Sequence, residues 1–411
     1  MLFGATGFVG RLVARRLAEL ELGELRVGLA GRTPAKLQAL SDELGVDWPL
    51  IVADSSDTGS LAELARRSRV VVTTVGPYAR DGLPLVRACA EAGTHYADLT
   101  GEPRFVRDSI DANQDTATRT GAKIVHACGF DSVPSDLGML ALADRVISDG
   151  AGELTTATLL VISIKGGLSG GTIDSMRVGI DDVRDDPSLA RKLSDPYLLS
   201  PDRGDEPDLG RQSNTFLAQK LDDGSWVAPF IMASFDAQIV RRSNALLGHR
   251  YGRELRYREV VRTGSSLLAP VVAGGIALGA GALALGMQNR FSRPLLDRLL
   301  PDPGQGPSEK VQRNGRFRLD IRGITTTGAT YTATVAADGD PGYAATSVML
   351  SQAGLCLASD DLPAGGGVLT PAVAMGDALT ARLRAKGFTL DVRRTSLTAL
   401  PGSPTARGPL T

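Results

Sequence analysis

The sequence predicts an α/β protein: a Rossmann-like, doubly wound parallel sheet, followed by a second α+β domain with a mixed, largely antiparallel sheet. Short apolar runs alternate with helical segments up to about residue 130, which is typical of a parallel sheet covered by helices on both faces. From about residue 155 the runs are longer and alternate moderately, which favours antiparallel strands. A chain of 411 residues also favours two domains. We expect residues 1–130 to form the first domain, completed by C-terminal helices within 340–400, and residues 131–339 to form the second.

A glycine-rich turn near the start of the chain predicts a dinucleotide site. It reads Gly4-Ala5-Thr6-Gly7-Phe8-Val9-Gly10 and opens a helix with apolar residues at helical spacing. Glycines there let the backbone approach a pyrophosphate, which the free N–H groups of the helix N-terminus can bind. The alternative is a tight strand–helix turn that binds nothing. Only Met1, Leu2 and Phe3 precede the turn, so the first strand is either a stub or begins upstream of this sequence.

The end of the second predicted strand, residues 25–30, indicates which cofactor binds. About twenty residues past the glycine turn, an NAD-binding fold usually carries a carboxylate for the ribose 2′-hydroxyl. This chain has Gly31, Arg32 and Thr33 there. A cation and a hydroxyl suit a 2′-phosphate, so we expect NADP(H) as the cofactor. The alternative is a solvated arginine in a loop.

Further residues at predicted strand ends face the same crevice, because ligands in such sheets sit outside the carboxyl ends of the strands. The third to sixth strands are predicted at residues 50–53, 70–75, 95–99 and 123–128. Asp54 could meet the adenine amino group or cap the next helix. The other predicted cofactor contacts are Ser55 after the third strand, Gly76, Pro77 and Tyr78 after the fourth, and Cys128 and Gly129 after the sixth.

The second half predicts a sheet that closes a crevice against the first domain, which is the default substrate site. A long strand at 156–164 leads into a loop at 165–172 and a helix at 173–183. The polar region 185–210 is expected to cover the surface or act as a lid. Further predicted strands lie at 235–240, 254–261, 317–324, 330–336 and 388–392, with helices at 344–358 and 371–386.

Residues 263–289 carry no charge, and 267–287 are almost wholly apolar. The length would span a bilayer, but a single span would place the strands before and after it on opposite sides of a membrane. We therefore expect a helix or hairpin on the lipid surface, with Arg290, Arg293 and Arg298 at the headgroups. The alternative is a buried helix or a dimer contact, and a homodimer is compatible with it.

Composition excludes several classes of function. The net charge of −1 gives no broad basic surface for nucleic acid. The three cysteines and three histidines are scattered, so we expect neither a disulfide scaffold nor a metal site. No basic region followed by an apolar run marks a signal peptide at the start. These features predict a cytoplasmic protein, associated with the inner face of the plasma membrane through 267–287.

Several blocks together carry a family resemblance. They are Gly4–Phe8, Ala30–Arg32, Val75–Tyr78, Thr94–Glu102, Cys128–Asp136, Lys165–Thr172 and Asp340–Tyr343. The set resembles the saccharopine dehydrogenase-like oxidoreductases, in particular the actinobacterial trans-acting enoyl reductases. The resemblance covers nearly the whole chain and implies an NADP-binding domain, a mixed α+β domain and a role in cell-envelope lipid synthesis. It also implies a polyketide or lipid substrate carried by a synthase that lacks its own reductase. No tyrosine is followed four residues later by lysine, so the proton-transfer pair of short-chain dehydrogenases is absent.

Reduction of an activated enoyl group needs a proton donor beside the nicotinamide. Tyr78 is the first candidate, and Lys165 and Asp131 are the second. Their alternatives are structural: Tyr78 could stack on the cofactor, Asp131 could cap a helix, and Lys165 could hold a phosphate. Cys128 is expected to be a buried strand-end residue rather than a nucleophile, since no base lies near it in sequence.

Three hypotheses of different classes follow. The first is an NADPH-dependent reductase of lipid-linked substrates. The second is a dehydrogenase of an amino-acid-like substrate, whose carboxylates would need clustered arginines such as Arg241 and Arg242. The third is a non-catalytic NADP-binding protein on membranes.

Overall fold

The computed structural model describes residues 1–166, 170–210, 212, 217–289, 291–299 and 306–395. These residues form two seven-stranded sheets, one parallel and one mixed, so the predicted fold class is confirmed. The first half contains β1 (Leu2–Phe3), α1 (Phe8–Ala18), β2 (Leu29–Gly31), α2 (Pro34–Leu44), β3 (Leu50–Val52), α3 (Thr58–Arg66), β4 (Val70–Thr73), α4 (Tyr78–Asp81), α5 (Leu83–Ala92), β5 (His95–Ala97), α6 (Pro103–Thr120), β6 (Lys123–Val125) and α7 (Val133–Ser148).

The second half alternates less regularly and ends by returning to both sheets. It contains β7 (Leu154–Lys165), α8 (Gly170–Asp185), α9 (Ser188–Leu193), β8 (Gln219–Lys220), β9 (Trp226–Pro229), α10 (Ala233–Leu246), β10 (Arg256–Gly264), α11 (Ala269–Gln288), α12 (Arg293–Leu299), α13 (Glu309–Asn314), β11 (Arg316–Thr325), β12 (Thr330–Asp338), a π-helical turn (Pro341–Ala345), α14 (Thr346–Ser359), β13 (Gly367–Leu369), α15 (Pro371–Ala374), α16 (Gly376–Ala385) and β14 (Thr389–Thr395).

The first sheet has the strand order β13-β6-β5-β4-β1-β2-β3. From β1 the strand order continues in one direction to β2 and β3 and in the other direction to β4, β5 and β6. The point of this change, between β1 and β4, is where nucleotides bind in such folds. Strand β1 contributes only Leu2 and Phe3 to pairing with β2 and β4. The Met1 ammonium donates to the Val70 carbonyl at 2.8 Å, and burial lowers the pKa of this amine to about 6.

The second sheet has the order β14-β12-β11-β7-β10-β9-β8 and packs one face on α7. A Cβ on Gly138 of α7 would lie 2.6 Å from Ile321, so glycine allows the helix to approach the sheet closely. The core is continuous between the two halves of the chain. Phe130 after β6 meets Phe317 of β11 at 5.0 Å between ring centroids, and Phe317 meets Phe388 at 6.2 Å.

The C-terminal region returns to both sheets. Helix α14 packs on α1, β4 and β5, and β13 adds a seventh parallel strand beside β6. Strand β14 instead pairs with β12 in the second sheet. Residues from 340–400 therefore contribute to both sheets, and not only as helices to the first.

The predicted strand at 235–240 is wrong, because these residues lie within helix α10. Almost every side chain of this helix is buried, including Asp236, Gln238, Arg241 and Arg242. A helix buried on all sides lacks the polar face from which its 3.6-residue period is read. The short strands β8, β9 and β13 were also not predicted.

Helix α11 occupies the uncharged segment and has 20 residues, with a mean hydropathy of 1.8 over its best window. By length and composition it is the one helix among the described residues that could cross a membrane. Only Ala269, Ala273 and Met287 are buried, so the alternative of a buried helix does not hold within this chain. Arg290 lies outside the described residues.

Candidate active site

The glycine turn leaves the end of β1 and forms a cradle for a phosphate. Gly4 has φ +81°, and a Cβ on Gly10 would lie 2.1 Å from the Gly4 carbonyl oxygen. Helix α1 begins at Phe8 without a capping side chain or an acidic residue in its first turn. Its first N–H groups are therefore open to an anion, as a dinucleotide pyrophosphate requires. Thr6 and Gly7 line the same turn.

The end of β2 fits a 2′-phosphate. Arg32 and Thr33 are exposed, and in the described part of the chain the Arg32 guanidinium makes no hydrogen bond or ion pair. A Cβ on Gly31 would lie 3.9 Å from Thr6 Oγ1, which places the strand end beside the glycine turn. A free cation at this position is available to a phosphate on the ribose.

Asp54 folds into its own turn after β3. Its Oδ1 accepts hydrogen bonds from the Ser56 amide at 2.9 Å and the Ser56 hydroxyl at 2.7 Å. These bonds, with a smaller contribution from the charge of Arg32, lower the pKa of Asp54. The cap of α3 is Asp57, which accepts from the Gly59 amide at 3.0 Å. The alternative that Asp54 caps this helix is therefore wrong, and the neighbouring Ser55 is half-buried.

Phe8 joins the glycine turn to the second half of the chain. Its ring packs edge-on against Tyr343 at 4.9 Å between centroids. The Tyr343 hydroxyl accepts a hydrogen bond of 2.9 Å from the amide of Gly170, the first residue of α8. Asp340 holds the intervening π-helical turn by accepting from the Tyr343 and Ala344 amides. Val9 is half-buried and packs against the main core.

Tyr78 is placed in the core rather than in the crevice. It is 6% exposed, while Gly76 is exposed and Pro77 half-buried. The Tyr78 hydroxyl donates to the Thr73 carbonyl at 3.3 Å and accepts from the Leu99 amide at 3.2 Å. Burial, reinforced by the charge of Asp98, raises the pKa of Tyr78. These contacts give the hydroxyl a structural role between β4 and the loop after β5.

At the strand-end edge of the first sheet, Cys128 and Gly129 act through their backbone rather than through their side chains. Cys128 is fully buried, its amide donates to the Asp98 carbonyl at 2.7 Å, and burial raises the pKa of its thiol. A Cβ on Gly129 would lie 2.7 Å from Leu99, so glycine allows the loops after β5 and β6 to pack together. The Cys128 thiol donates to the Val125 carbonyl at 3.6 Å, and the charge of Asp98 raises its pKa further, so the thiol is not activated as a nucleophile.

Glu102 was not predicted as a site residue, although it ends one of the motifs. Its carboxylate accepts hydrogen bonds from the Tyr78 and Ala79 amides at 3.1 and 2.7 Å, which caps α4. It also accepts a bond of 2.8 Å from the Ser175 hydroxyl on α8. Burial raises the pKa of Glu102. This hydrogen bond from Ser175 to the Glu102 carboxylate therefore holds α8 close to the strand ends of the first sheet.

Asp98, His126 and Ser109 form a chain of hydrogen bonds. His126 Nδ1 lies 2.7 Å from Asp98 Oδ2, and His126 Nε2 lies 2.8 Å from Ser109 Oγ. The arrangement is that of an acid–base triad, but all three side chains are at most 1% exposed. A substrate cannot reach these side chains, so their hydrogen bonds have a structural role and hold the loops after β5 and β6 in place. The sequence did not reveal this arrangement, because the three residues are separated along the chain.

Asp131 is the predicted catalytic candidate that lies partly exposed at the strand-end edge of the first sheet, in the loop between β6 and α7. It is half-buried, and within the described residues its carboxylate makes no hydrogen bond or ion pair. A Cβ on Gly101 would lie 3.6 Å from Asp131 Oδ2 and 3.3 Å from Met232 Cε, so the two sheets' loops meet here. Burial raises the pKa of Asp131 to about 6. Helix α7 is preceded by Ser132 and not capped by the Asp131 side chain.

Two further carboxyls lie behind Asp131. Asp236 of α10 is 2% exposed and accepts a bond of 3.4 Å from the Ser132 hydroxyl. Glu259 of β10 is 1% exposed and accepts a bond of 2.7 Å from the Tyr257 hydroxyl. Burial and then mutual repulsion raise the pKa of Asp236, and burial raises that of Glu259 to about 6. The charge of Asp131 also contributes to the shift of Asp236.

Lys165 is not bonded to either of the other two catalytic candidates. It is exposed at the end of β7, and no hydrogen bond or ion pair joins it to Tyr78 or Asp131. A Cβ on the following Gly166 would lie 3.0 Å from Asp340 and from Pro341. Lys165 thus stands near the anchored start of α8. Residues 167–169 of the predicted loop lie outside the described residues.

Two other features are separate from this crevice. A groove of about 920 Å³ on the second sheet is lined by polar and charged residues, among them Arg256, Arg322 and Asp320, away from the strand ends of the first sheet. Among the described residues, no group of three or more His, Cys, Asp or Glu side chains is arranged to hold a metal ion.

Comparison with known proteins places the chain in a family. The profile of the saccharopine dehydrogenase NADP binding domain matches residues 1–125. Proteins named trans-acting enoyl reductase from Mycobacterium ulcerans (strain Agy99) and Mycobacterium tuberculosis (strain ATCC 25618 / H37Rv) are 45% and 46% identical to this chain. Each alignment covers 96% of this chain, and it covers 97% and 98% of the two relatives, respectively. The chain belongs to the trans-acting enoyl reductase family.

A second protein of the same M. tuberculosis strain, named as a candidate trans-acting enoyl reductase, is 52% identical over 411 aligned residues, with 96% of this chain and 97% of the relative covered. Among solved structures, saccharopine dehydrogenase (L-Glu forming) from Saccharomyces cerevisiae superimposes with a TM-score of 0.54. That match has 15% identity and covers 96% of this chain and 99% of the other, so it supports the fold alone.

These matches confirm the resemblance found in the sequence. This member of the trans-acting enoyl reductase family is an NADP-dependent oxidoreductase, and its cofactor is NADP(H). The cradle at Gly4–Gly10 and the free guanidinium of Arg32 fit that cofactor.

Proposed function

We propose that this enzyme reduces the carbon–carbon double bond of an α,β-unsaturated acyl thioester, a lipid or polyketide intermediate carried by a separate synthase. The observation that carries the proposal is the unpaired Asp131 carboxylate at the crevice, on the sheet whose other strand ends fit NADP(H). The names of relatives that are 45–52% identical support the same reaction.

Bound NADPH would supply a hydride for the β-carbon of the enoyl group and leave as NADP⁺. The protein then has to bind the substrate carbonyl, exclude water and deliver one proton to the α-carbon. Glu102 and Tyr343 serve the second of these tasks, because their hydrogen bonds to Ser175 and Gly170 hold α8 over the strand ends. A closed site excludes water from the reacting atoms.

Asp131 is the residue that we assign as the proton donor. A carboxyl whose pKa is raised to about 6 by burial keeps a useful protonated fraction near neutral pH. Asp236, whose charge interacts with that of Asp131, and Glu259 also have raised pKa values, so the proposed donor lies beside carboxyls that hold protons. Tyr78 is less suited to the role, because its hydroxyl is already bonded to Thr73 and Leu99.

We also propose a cellular role and a location for the enzyme. The substrate would be an intermediate of cell-envelope lipid or glycolipid synthesis, handled on the cytoplasmic side of the plasma membrane. The exposed apolar surface of α11 supports a membrane location. A carrier-bound chain would reach the crevice from the synthase without leaving the membrane surface.

The alternative of an amino-acid dehydrogenase has less support. Its substrate carboxylates would need free arginines, but Arg242 donates to the Leu199 and Val368 carbonyls at 2.5 Å each. Arg241 donates to Gln212 Oε1 at 2.7 Å and to the Tyr257 carbonyl at 2.9 Å. Both side chains are buried and already engaged, so neither is free to clamp a carboxylate.

The test is turnover of a simple enoyl thioester. Purified enzyme is mixed with NADPH and crotonyl-N-acetylcysteamine, and both NADPH consumption and the butyryl product are followed, the latter by mass spectrometry. We expect one butyryl thioester for each NADPH consumed. NADPH binding without reduction of this or longer-chain enoyl thioesters would contradict the proposal, and reductive turnover of a keto acid with ammonia would favour the dehydrogenase alternative.

A further inference from the structure

Helix α11 presents an apolar surface that no other described residue covers. Val271, Leu278 and Leu285 are 68, 77 and 69% exposed, and the preceding Leu267 is 97% exposed. From residue 269 to 287 there is no charged, hydroxyl or amide side chain. Burying such side chains in water-free surroundings is favourable, so an uncovered apolar surface of this length marks a site of interaction.

Both ends of the helix are attached to the second domain. At the start, the Thr263 hydroxyl donates to the Ala269 carbonyl at 3.1 Å, and Ala269 and Ala273 are buried against β9 and β10. At the far end Met287 is buried, and a Cβ on Gly286 would lie 2.8 Å from Leu296 of α12.

Helix α12 is in turn attached to α8. Its Arg293 forms an ion pair with Asp181, with one of the two contacts at 2.8 Å. A 20-residue helix is about 30 Å long. Both ends of α11 are thus attached to the rest of the chain, whereas its middle, Leu278 to Ala282, is exposed on every side of the helix.

The sheet topology excludes a single membrane crossing. Strand β10 precedes α11 and strand β11 follows it, and these two strands flank β7 in one sheet. The chain must therefore leave and return on the same side of any membrane. An apolar helix with this constraint can only lie in the plane of the interface.

The chemistry of the exposed surface distinguishes lipid from protein as its partner. Protein interfaces carry about one hydrogen bond per 100–200 Å² and a polar rim. The outward positions of α11 offer only Gly, Ala, Val and Leu side chains over the whole helix, with Gln288 as the first hydrogen-bonding group. Acyl chains need no such groups.

We infer that α11 docks this enzyme in the plane of a phospholipid bilayer, with Val271, Leu278 and Leu285 among the acyl chains. Residues 263–289 carry no Lys or Arg, and Arg293 is paired with Asp181. Apolar burial therefore drives docking, and we expect that anionic lipid is not required. Of the three arginines expected at the headgroups, Arg293 is paired within the protein, Arg298 on α12 is exposed, and Arg290 lies outside the described residues.

The docked orientation also indicates where the substrate enters the protein. This part of the inference rests on the proposed function. A cleft of about 340 Å³ lies between α4 and α8 and is lined by Arg80, Arg104 and Asp181. Asp181 is the residue that pairs with α12 at the end of α11. We therefore place the entrance for a lipid-linked thioester at this cleft, next to the docked end of α11.

The test is flotation of the full-length protein with phosphatidylcholine vesicles, with and without phosphatidylglycerol, at low and high salt. We expect equal flotation in all four conditions. The double variant Leu278→Glu/Leu285→Glu should remain at the bottom of the gradient. The control Ile147→Glu, at an exposed apolar position on α7, should float like the unmodified protein.

NADPH binding by each variant shows that it is folded and is measured separately from turnover, so a failed reductase assay does not decide this result. Sedimentation of the unmodified protein, flotation of the double variant, or flotation only with phosphatidylglycerol would each overturn the inference. A lipid-free dimer that the double substitution dissociates, with no flotation, would assign the surface to a second copy instead.

Discussion

Tyr78 follows β4 and Asp131 follows β6 of the same sheet, but their surroundings give the two side chains different chemistry. The Tyr78 hydroxyl is buried and bonded to backbone on both sides. The Asp131 carboxyl is half-buried with no hydrogen-bond partner among the described residues. A group that must give up a proton to a substrate needs a free, reachable atom first and a suitable pKa second.

The variant Asp131→Asn should lose reductase activity while keeping its cofactor. We expect kcat to fall about 10²–10⁴-fold, the usual contribution of a positioned general acid. NADPH affinity, measured by isothermal titration, should stay unchanged. In the unmodified enzyme kcat should fall as pH rises through about 6, because the protonated form of Asp131 is then lost.

The variant Tyr78→Phe is the matched comparison. It removes a hydroxyl that bonds to Thr73 and Leu99, so we expect a loss of about 1 kcal/mol in the free energy of unfolding with little change in kcat. The opposite result, an inactive Tyr78→Phe and an active Asp131→Asn, would transfer the donor role to Tyr78.

Arg32 is expected to determine the choice between NADPH and NADH. The variant Arg32→Ser should bind NADPH about 10–100-fold more weakly, since a hydrogen bond to a charged group contributes about 1.5–3 kcal/mol. NADH affinity should change little. Isothermal titration with both cofactors measures the difference, and Arg66→Ser, an exposed arginine on α3, is the control. Equal losses for the two cofactors would refute a contact with the 2′-phosphate.

At the scale of single residues, the sequence predicts what local spacing determines. The glycine turn and Arg32 are recognisable because their functions depend on backbone conformation and distance along the chain. The burial of Tyr78 was not predictable, because its hydroxyl partners are residue 73 at the end of β4 and residue 99 in the loop after β5, which are far from each other in sequence. The same is true of the hydrogen bonds that join Asp98, His126 and Ser109.

Helix α8 is held in position by hydrogen bonds that single substitutions can remove. Its start is bonded to Tyr343, and Ser175 within it is bonded to Glu102. The same Glu102 carboxylate caps α4. One side chain thus connects α4 with α8.

The variant Glu102→Ala should therefore loosen both helices. It leaves the Tyr78 and Ala79 amides and the Ser175 hydroxyl without their acceptor, and we expect the free energy of unfolding to fall by about 2–3 kcal/mol. Hydrogen exchange should accelerate in α4 and the first turns of α8. Glu63→Ala, at an exposed position on α3, should change stability by less than about 0.5 kcal/mol. Unchanged exchange in α8 would contradict the role given to Glu102.

Helices and strands with one buried and one exposed surface are the elements that the sequence predicts, because their apolar residues recur at a regular spacing. The bounds of the long strands β7, β11 and β12 were predicted to within two residues at every end, because the lengths and alternation of these strands are distinctive. Helix α10 was not, because its polar side chains are buried and bonded, as with Arg242. Strand β13 has only three residues and gains its stability from its neighbour β6.

Over the whole molecule, buried carboxyls make stability depend on pH. Burial raises the pKa of Asp131 and Glu259 to about 6 and that of Asp136 to about 7. A raised pKa means that the folded state binds more protons than the unfolded state between about pH 4 and 7. The contribution of these carboxyls to the free energy of unfolding is fully present below their pKa values in the unfolded state. It is lost as the pH rises through their pKa values in the folded state.

We therefore expect the free energy of unfolding to fall by several kcal/mol, on the order of 1.4 kcal/mol per pKa unit, as pH rises from about 4 to 7. Urea titrations across this range measure the slope. Asp136→Asn should flatten it, whereas Asp111→Asn, at an exposed site on α6, should not. A slope of the opposite sign would show that these carboxyls are not neutral in the folded protein at low pH.

The return of the chain to both sheets has a consequence for how the protein is made. The outer strand of the nucleotide sheet, β13, ends at Leu369, and the outer strand of the other sheet, β14, ends at Thr395. On a ribosome, neither sheet can be completed until almost the whole chain has emerged. The unpaired edge of β6 would remain open throughout translation, so a nascent chain of this family is expected to need shielding of that edge by a chaperone until synthesis is nearly finished.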